Sequence, residues 1–243
     1  MSKMYVACVV AIVPVLFAGC ASDRSAKTDS NANQLEAAKP ASGFVIEVTT
    51  FNRNDRMTES QFARADAAVE ARYTSKQPGF LGRVSGESPD GTWAVVVYWE
   101  DVASAEASMK KFMNDASVVD YAAAIDATTM KMSHYRSAEV FQSDGVRPRV
   151  VEVTTFVLKA DVAGSAFSAR DAEIESAYTA RQPGFIARHS GESTDGQWAV
   201  IVFWDDISSA DASMKKFIRD ESVADYAQMI DGSAMAMSRY ETR

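Results

Sequence analysis

The 243-residue chain is 47% apolar and 24% charged, with a formal net charge of -8, enough apolar content for one large domain or two of about 100 residues each. An acidic chain without any Lys/Arg-rich run argues against a nucleic-acid partner. Its only cysteines, Cys8 and Cys20, stand in the first twenty residues, so the folded part has no disulfide of its own, and His134 and His189 do not fall into metal-site spacing, so no metal is expected.

Lys3 precedes an apolar stretch over residues 4–18 that is broken only by Pro14. It is too short to cross a bilayer comfortably as a helix and reads as a signal peptide over residues 1–19. Leu16, Phe17, Ala18, Gly19 and Cys20 resemble a bacterial lipobox, although Phe17 departs from the usual small aliphatic residue. That resemblance implies lipidation at Cys20 and an envelope protein facing the periplasm, touching the membrane through its anchor alone. Ala21 after the cysteine points to the outer rather than the inner membrane. Residues 20–43 are rich in Ala, Ser, Asn, Asp and Lys without apolar periodicity, and are expected to be a disordered tether.

Sliding the sequence by 105 residues aligns positions 45–135 with 150–240 without a gap, and 50 of these 91 positions are identical. This is an internal duplication, which predicts domains over 44–138 and 150–243 joined by a linker over 139–149. In the first copy, residues 44–51 predict a strand. Thr58 with Gln61 predicts a capping box that opens a helix, with Phe62, Ala65, Val69 and Tyr73 on one stripe. Residues 80–88 and 93–99 predict a hairpin turned by Pro89, Asp90 and Gly91. Asp101 or Ser104 caps a second helix, and residues 130–135 close the copy as a strand. The fold class is therefore α+β, two tandem ferredoxin-like βαββαβ repeats. Residues 94–99 are apolar at every position, as are 199–204, so both faces of the sheet need cover. Helices cover one face, and the sheet of the duplicate covers the other.

Gln77-Pro78-Gly79-Phe80, the turn at Asp90-Gly91 and Val97-Tyr98-Trp99-Glu100 before the second helix together resemble the antibiotic biosynthesis monooxygenase superfamily. The resemblance covers nearly all of both repeats. It implies an intramolecular dimeric α/β barrel with the sheets packed face to face, and hence a monomer. It also implies a small aromatic, apolar or quinone-like ligand, oxidised without a cofactor as the substrate's own carbanion or phenolate reduces oxygen.

Members of that family use an Asn on the first strand, a Trp late in the third and a His on the second helix. Trp99 and Trp204 match the tryptophan, either as the wall of a ligand pocket or as core anchors. The first strand offers Glu47 and Thr49, repeated as Glu152 and Thr154, but no asparagine. Glu47 and Glu152 are candidate bases, or else members of structural ion pairs in which Arg83 and Arg188 are possible partners. Met109 and Met214 add soft side chains that either line a pocket or fill the core, as do Met130 and Met132. The second helix lacks histidine. His134 aligns with Arg239 and His189 with Val84, so neither histidine is repeated and both are expected at strand ends or the surface. A module that kept the barrel and lost catalysis is the competing reading.

Overall fold

The computed structural model describes residues 43–142 and 145–243. The expected signal peptide, Cys20 and the expected tether up to residue 42 lie outside the described residues.

The strands are β1 (Phe44–Arg53), β2 (Phe80–Glu87), β3 (Thr92–Trp99), β4 (Ile125–Ser137), β5 (Val150–Val157), β6 (Phe185–Glu192), β7 (Gln197–Trp204) and β8 (Ala236–Thr242). The α-helices are α1 (Glu59–Arg72), α2 (Val102–Phe112), α3 (Val119–Ala123), α4 (Gly164–Ala177), α5 (Ile207–Phe217) and α6 (Ala224–Met229). The strands close into one antiparallel barrel in the order β1-β3-β2-β8-β5-β7-β6-β4. The order β4-β1-β3-β2 in the first half recurs as β8-β5-β7-β6 in the second.

Period-two alternation explains why β3 and β7 are apolar throughout. Phe44, Ile46, Val48, Ala94, Val96 and Tyr98 face inward, against Val151, Val153, Ala199, Ile201 and Phe203 of the other half. The intervening Val45, Phe51, Trp93, Val95, Val97 and Trp99 face outward, under Phe62 and Val69 of α1, Ala105 of α2 and Tyr121 of α3. Each residue of β3 from Trp93 to Trp99 is thus buried on one face or the other, as the unbroken apolar run requires. The expected capping box is present, since the Thr58 hydroxyl accepts from the Gln61 N–H and the Gln61 side chain accepts from the Thr58 N–H.

Two short seams join the halves, one where Gly86 and Glu87 meet Thr242 and Glu241, the other where Arg136 meets Glu192. Both seams require a missing side chain. A Cβ on Gly86 would stand 2.6 Å from the Glu241 carbonyl oxygen, and one on Gly191 would stand 3.0 Å from that of Arg136. Tyr135 adds a bond across the barrel, its hydroxyl donating to Gln197 Oε1 at 2.7 Å.

The last strand of the first half is longer than its expected span of 130–135. The Asn54 side-chain amide donates to the carbonyls of Ala123 and Ile125, at 2.9 and 3.2 Å, and Asn52 and Arg53 pair with Asp126 and Ile125 beyond a register shift. The second half has Lys159 at the position of Asn54. There a 3-10 turn over Gly232–Ala234 precedes a shorter β8.

Candidate functional site

Outward-facing positions on three strands and one helix bring five of the sequence candidates together. Glu47 and Thr49 of β1, Arg83 of β2, Trp99 of β3 and Met109 of α2 all line one cavity of about 190 Å³ between the sheet and the helices. Met130 and Met132 of the lengthened β4 wall its far side. Met130 is exposed rather than core-filling. Trp99 is buried, yet its indole N–H has no hydrogen-bond partner, so it is both a packed anchor and an unsatisfied donor beside the cavity.

Glu47 is buried, and its Oε2 lies 2.9 Å from His134 Nε2 on the neighbouring β4. The His134 side chain is 29% exposed and so connects a buried carboxylate to solvent. His134, expected at a strand end or the surface, is thus partly exposed near the end of β4, in register opposite Glu47. His189 departs from the same expectation. It is 6% exposed and packs in the barrel interior against Phe44, Tyr98, Phe141 and Phe203.

Arg83 does not pair with Glu47. Its guanidinium grips Asp66 of α1 with two bonds, and Asp66 also accepts from the Ser85 hydroxyl and, at 2.9 Å, from Tyr121. The second half repeats the arrangement with Arg188, Asp171 and Tyr226. Burial by itself pushes the Asp171 carboxyl upward, but the paired Arg188 outweighs it and holds the carboxyl below its usual range. Burial, followed by the adjacent aspartate, raises both tyrosine hydroxyls, keeping them donors. These triads tie helix to sheet. Asp66 and Asp171 were not singled out from the sequence, although each recurs 105 residues from its twin with its arginine and tyrosine.

Glu152, Thr154, Arg188, Trp204 and Met214 take the equivalent positions of the second half, where the carboxylate is held differently. Arg239 stands in place of His134, donates to Glu152 at 2.5 Å and also binds Asp211. Burial raises the Glu152 carboxyl, and Arg239 offsets this only in part. Trp204, like Trp99, is buried with an unpartnered indole N–H. Among the described residues no three His, Cys, Asp or Glu side chains gather as metal ligands.

No family model and no curated protein matches the chain. Solved structures do. A protein inferred to be a monooxygenase from Lactobacillus acidophilus NCFM superposes with a TM-score of 0.63 at 13% identity, over 82% of this chain and 93% of its own. An anthrone oxidase-like protein gives 0.54 at 11% identity, over 82% and 91%. A chlorite dismutase variant from Candidatus Nitrospira defluvii gives 0.54 at 12%, over 84% and 93%. At such identities the likeness establishes the fold alone, one that carries more than one chemistry among these neighbours.

Proposed function

We propose that the chain is an envelope lipoprotein in which two ferredoxin-like repeats form an intramolecular barrel, and that the first half is a cofactor-independent monooxygenase site for a small aromatic or quinone-like compound. The observation that carries this reading is the cavity between sheet and helices. It is mostly apolar, walled by Trp99 and the methionines, with a buried carboxylate at its lining and an imidazole leading from that carboxylate to solvent. Such a site desolvates an aromatic substrate, takes its acidic proton on Glu47 and passes the proton outward through His134, so that the carbanion or phenolate reduces oxygen. An imidazole both accepts and donates, whereas the guanidinium that replaces it beside Glu152 only donates. His134 thereby stands in for the missing histidine of the second helix. Thr49, Arg83 and Met109 shape the ligand side, with Thr154, Arg188 and Met214 as their counterparts. The neighbours named as a monooxygenase and an anthrone oxidase-like protein support the same reaction class.

The second reading, a binding module without catalysis, is favoured by the absence of histidine from α2. Oxygen uptake with anthrone or 1,4-hydroquinone decides between them. The monooxygenase reading expects uptake that falls in Glu47→Gln and in the Trp99→Phe, Trp204→Phe double variant. No uptake across a broad panel of phenols leaves only the binding module. We propose further that Cys20 carries the lipid, residues 20–43 are the tether and the outer membrane is the destination. On this view Cys20→Ser releases the protein from membranes and light scattering finds a monomeric soluble domain, whereas persistent attachment or an obligate dimer refutes the corresponding part.

A further inference from the structure

A second cavity, of about 530 Å³, opens at the β2 edge of the sheet. Val84, Tyr98, His189 and Phe203 of the inner face border it together with Phe141 of the connector, and it reaches round the edge to Glu70 of α1 and to Arg83, which also lines the first cavity. Two of its polar groups break the internal duplication. Tyr98 is Phe203 in the other half and His189 is Val84.

Tyr98 is 2% exposed, and its hydroxyl has no hydrogen-bond partner. Leaving a buried hydroxyl unpaired costs stability, and the same fold accepts phenylalanine at the equivalent Phe203. The hydroxyl is thus unexplained by packing. Burial first, then the nearby Glu139 carboxylate, holds the Tyr98 phenol well above its usual range, so the group is a donor in search of an acceptor. Glu139 Oε2 also lies 3.5 Å from His189 Nδ1, which disfavours an anion beside these two groups, and Arg83 of the lining is already matched by Asp66. Flat rings make up the wall around Tyr98. His189 stacks on Phe141 with centroids 5.5 Å apart, while Phe44 and Tyr98 meet its edge at 5.4 and 5.0 Å. The volume lies within the usual range for small-molecule sites.

We infer that this cavity binds a neutral, planar aromatic carbonyl compound, its ring against the aromatic walls and its carbonyl oxygen accepting from the Tyr98 hydroxyl. The inference is independent of catalysis at the Glu47 cavity.

Calorimetric titration of the soluble domain with 1-indanone and with indane, its carbonyl-free twin, tests it. 1-Indanone should bind saturably and at least about fivefold more tightly than indane, the size of effect one buried neutral hydrogen bond supplies. Tyr98→Phe should erase that margin without weakening indane, and His189→Val should weaken both. Each substitution installs the residue that the other half already carries, so the fold should survive it. The wild-type comparison of the two ligands stands even where a variant does not fold. Glu47→Gln and Trp99→Phe should leave 1-indanone binding intact. The inference is overturned by no binding, by equal affinity for the two compounds, by a Tyr98→Phe variant that keeps the margin because the hydroxyl serves only water, or by loss of binding in Glu47→Gln or Trp99→Phe.

Discussion

The two halves share the scaffold of their outer faces and differ in the contact that reaches the buried glutamate. In both halves the arginine and the tyrosine donate to the aspartate, Arg83 and Tyr121 to Asp66, Arg188 and Tyr226 to Asp171, and the indole N–H groups of Trp99 and Trp204 are alike unpartnered. Glu47 meets an imidazole, while Glu152 meets a guanidinium that a second carboxylate also holds. What both copies keep is what each needs to fold. What only one keeps marks where the halves have taken different work, and the pairing of Glu47 with His134 falls in that class.

The largest effects should come from the shared part. Asp66→Asn and Asp171→Asn each deprive a buried arginine of its main counter-charge, although Glu70 stays 3.5 Å from Arg83, and each should cost about 3–5 kcal/mol in chemical denaturation. Similar losses support equivalence of the triads, and one tolerated variant would break it. Acid provides a second check. The native Asp171 carboxyl sits below its unfolded value, so its stabilisation is complete above the unfolded carboxylate range and disappears as pH falls through the depressed native value. Asp171→Asn should flatten the acid limb of the stability curve. Glu152 has the opposite sign, since its raised carboxyl favours the protonated fold, and Glu152→Gln should remove a small gain on acidification.

Function should separate the halves. Glu47→Gln is expected to lower the rate of oxygen uptake about 100-fold, and Glu152→Gln to leave it unchanged. His134→Arg copies the second half into the first and should lose activity as Glu47→Gln does while the domain melts normally. Equal losses from Glu47→Gln and Glu152→Gln would mean that both halves work and that the imidazole is incidental.

The seams should give smaller and graded effects. Gly86→Ala drives a Cβ into a backbone carbonyl at 2.6 Å, and Gly191→Ala meets one at 3.0 Å. Overpacking of this kind costs about 1–3 kcal/mol, so the first should fall near the top of that range and the second near the bottom in urea melts. A reversed order would mean that the β4-β6 seam is the stiffer of the two.

Much of this was legible in the chain because strand alternation and duplication reinforce each other. The unbroken apolar runs of β3 and β7 required cover on both faces, and parity put Glu47 and Thr49 on one side of β1, while Trp99 joins them through the register of β1 against β3. The triads were harder to read, because Asp66 lies among the polar residues of an amphipathic helix and looks solvated until its partners are seen. Its recurrence as Asp171, with an arginine 17 residues on and a tyrosine 55 on, was the available signal. His189 was misplaced for another reason. Its mismatch with Val84 says nothing of its burial, whereas alignment with an inward-facing valine means that it too faces inward. Contact between Glu47 and His134 depends on the register of β1 against β4, which residue spacing does not fix.

The finest distinction lies where the first helix of each half begins. Thr58 caps α1 through a reciprocal capping box, whereas Ala163, the equivalent residue before α4, has extended backbone and no side chain that reaches the first turn. Thr58→Ala removes an acceptor from a first-turn N–H and should cost about 1 kcal/mol. Ala163→Thr places a hydroxyl on a backbone already shaped for it, since φ is -75 and ψ is 136, and should return a similar amount or somewhat less. Ala166 occupies the position of Gln61, so the reciprocal half of the box stays missing. Thermal melts of the two single variants and their combination resolve this. Because the caps lie in different halves and share no partner, the double variant should fall near the sum of the two, and a gain from Ala163→Thr would show that the second half folds without a cap that its backbone can accept.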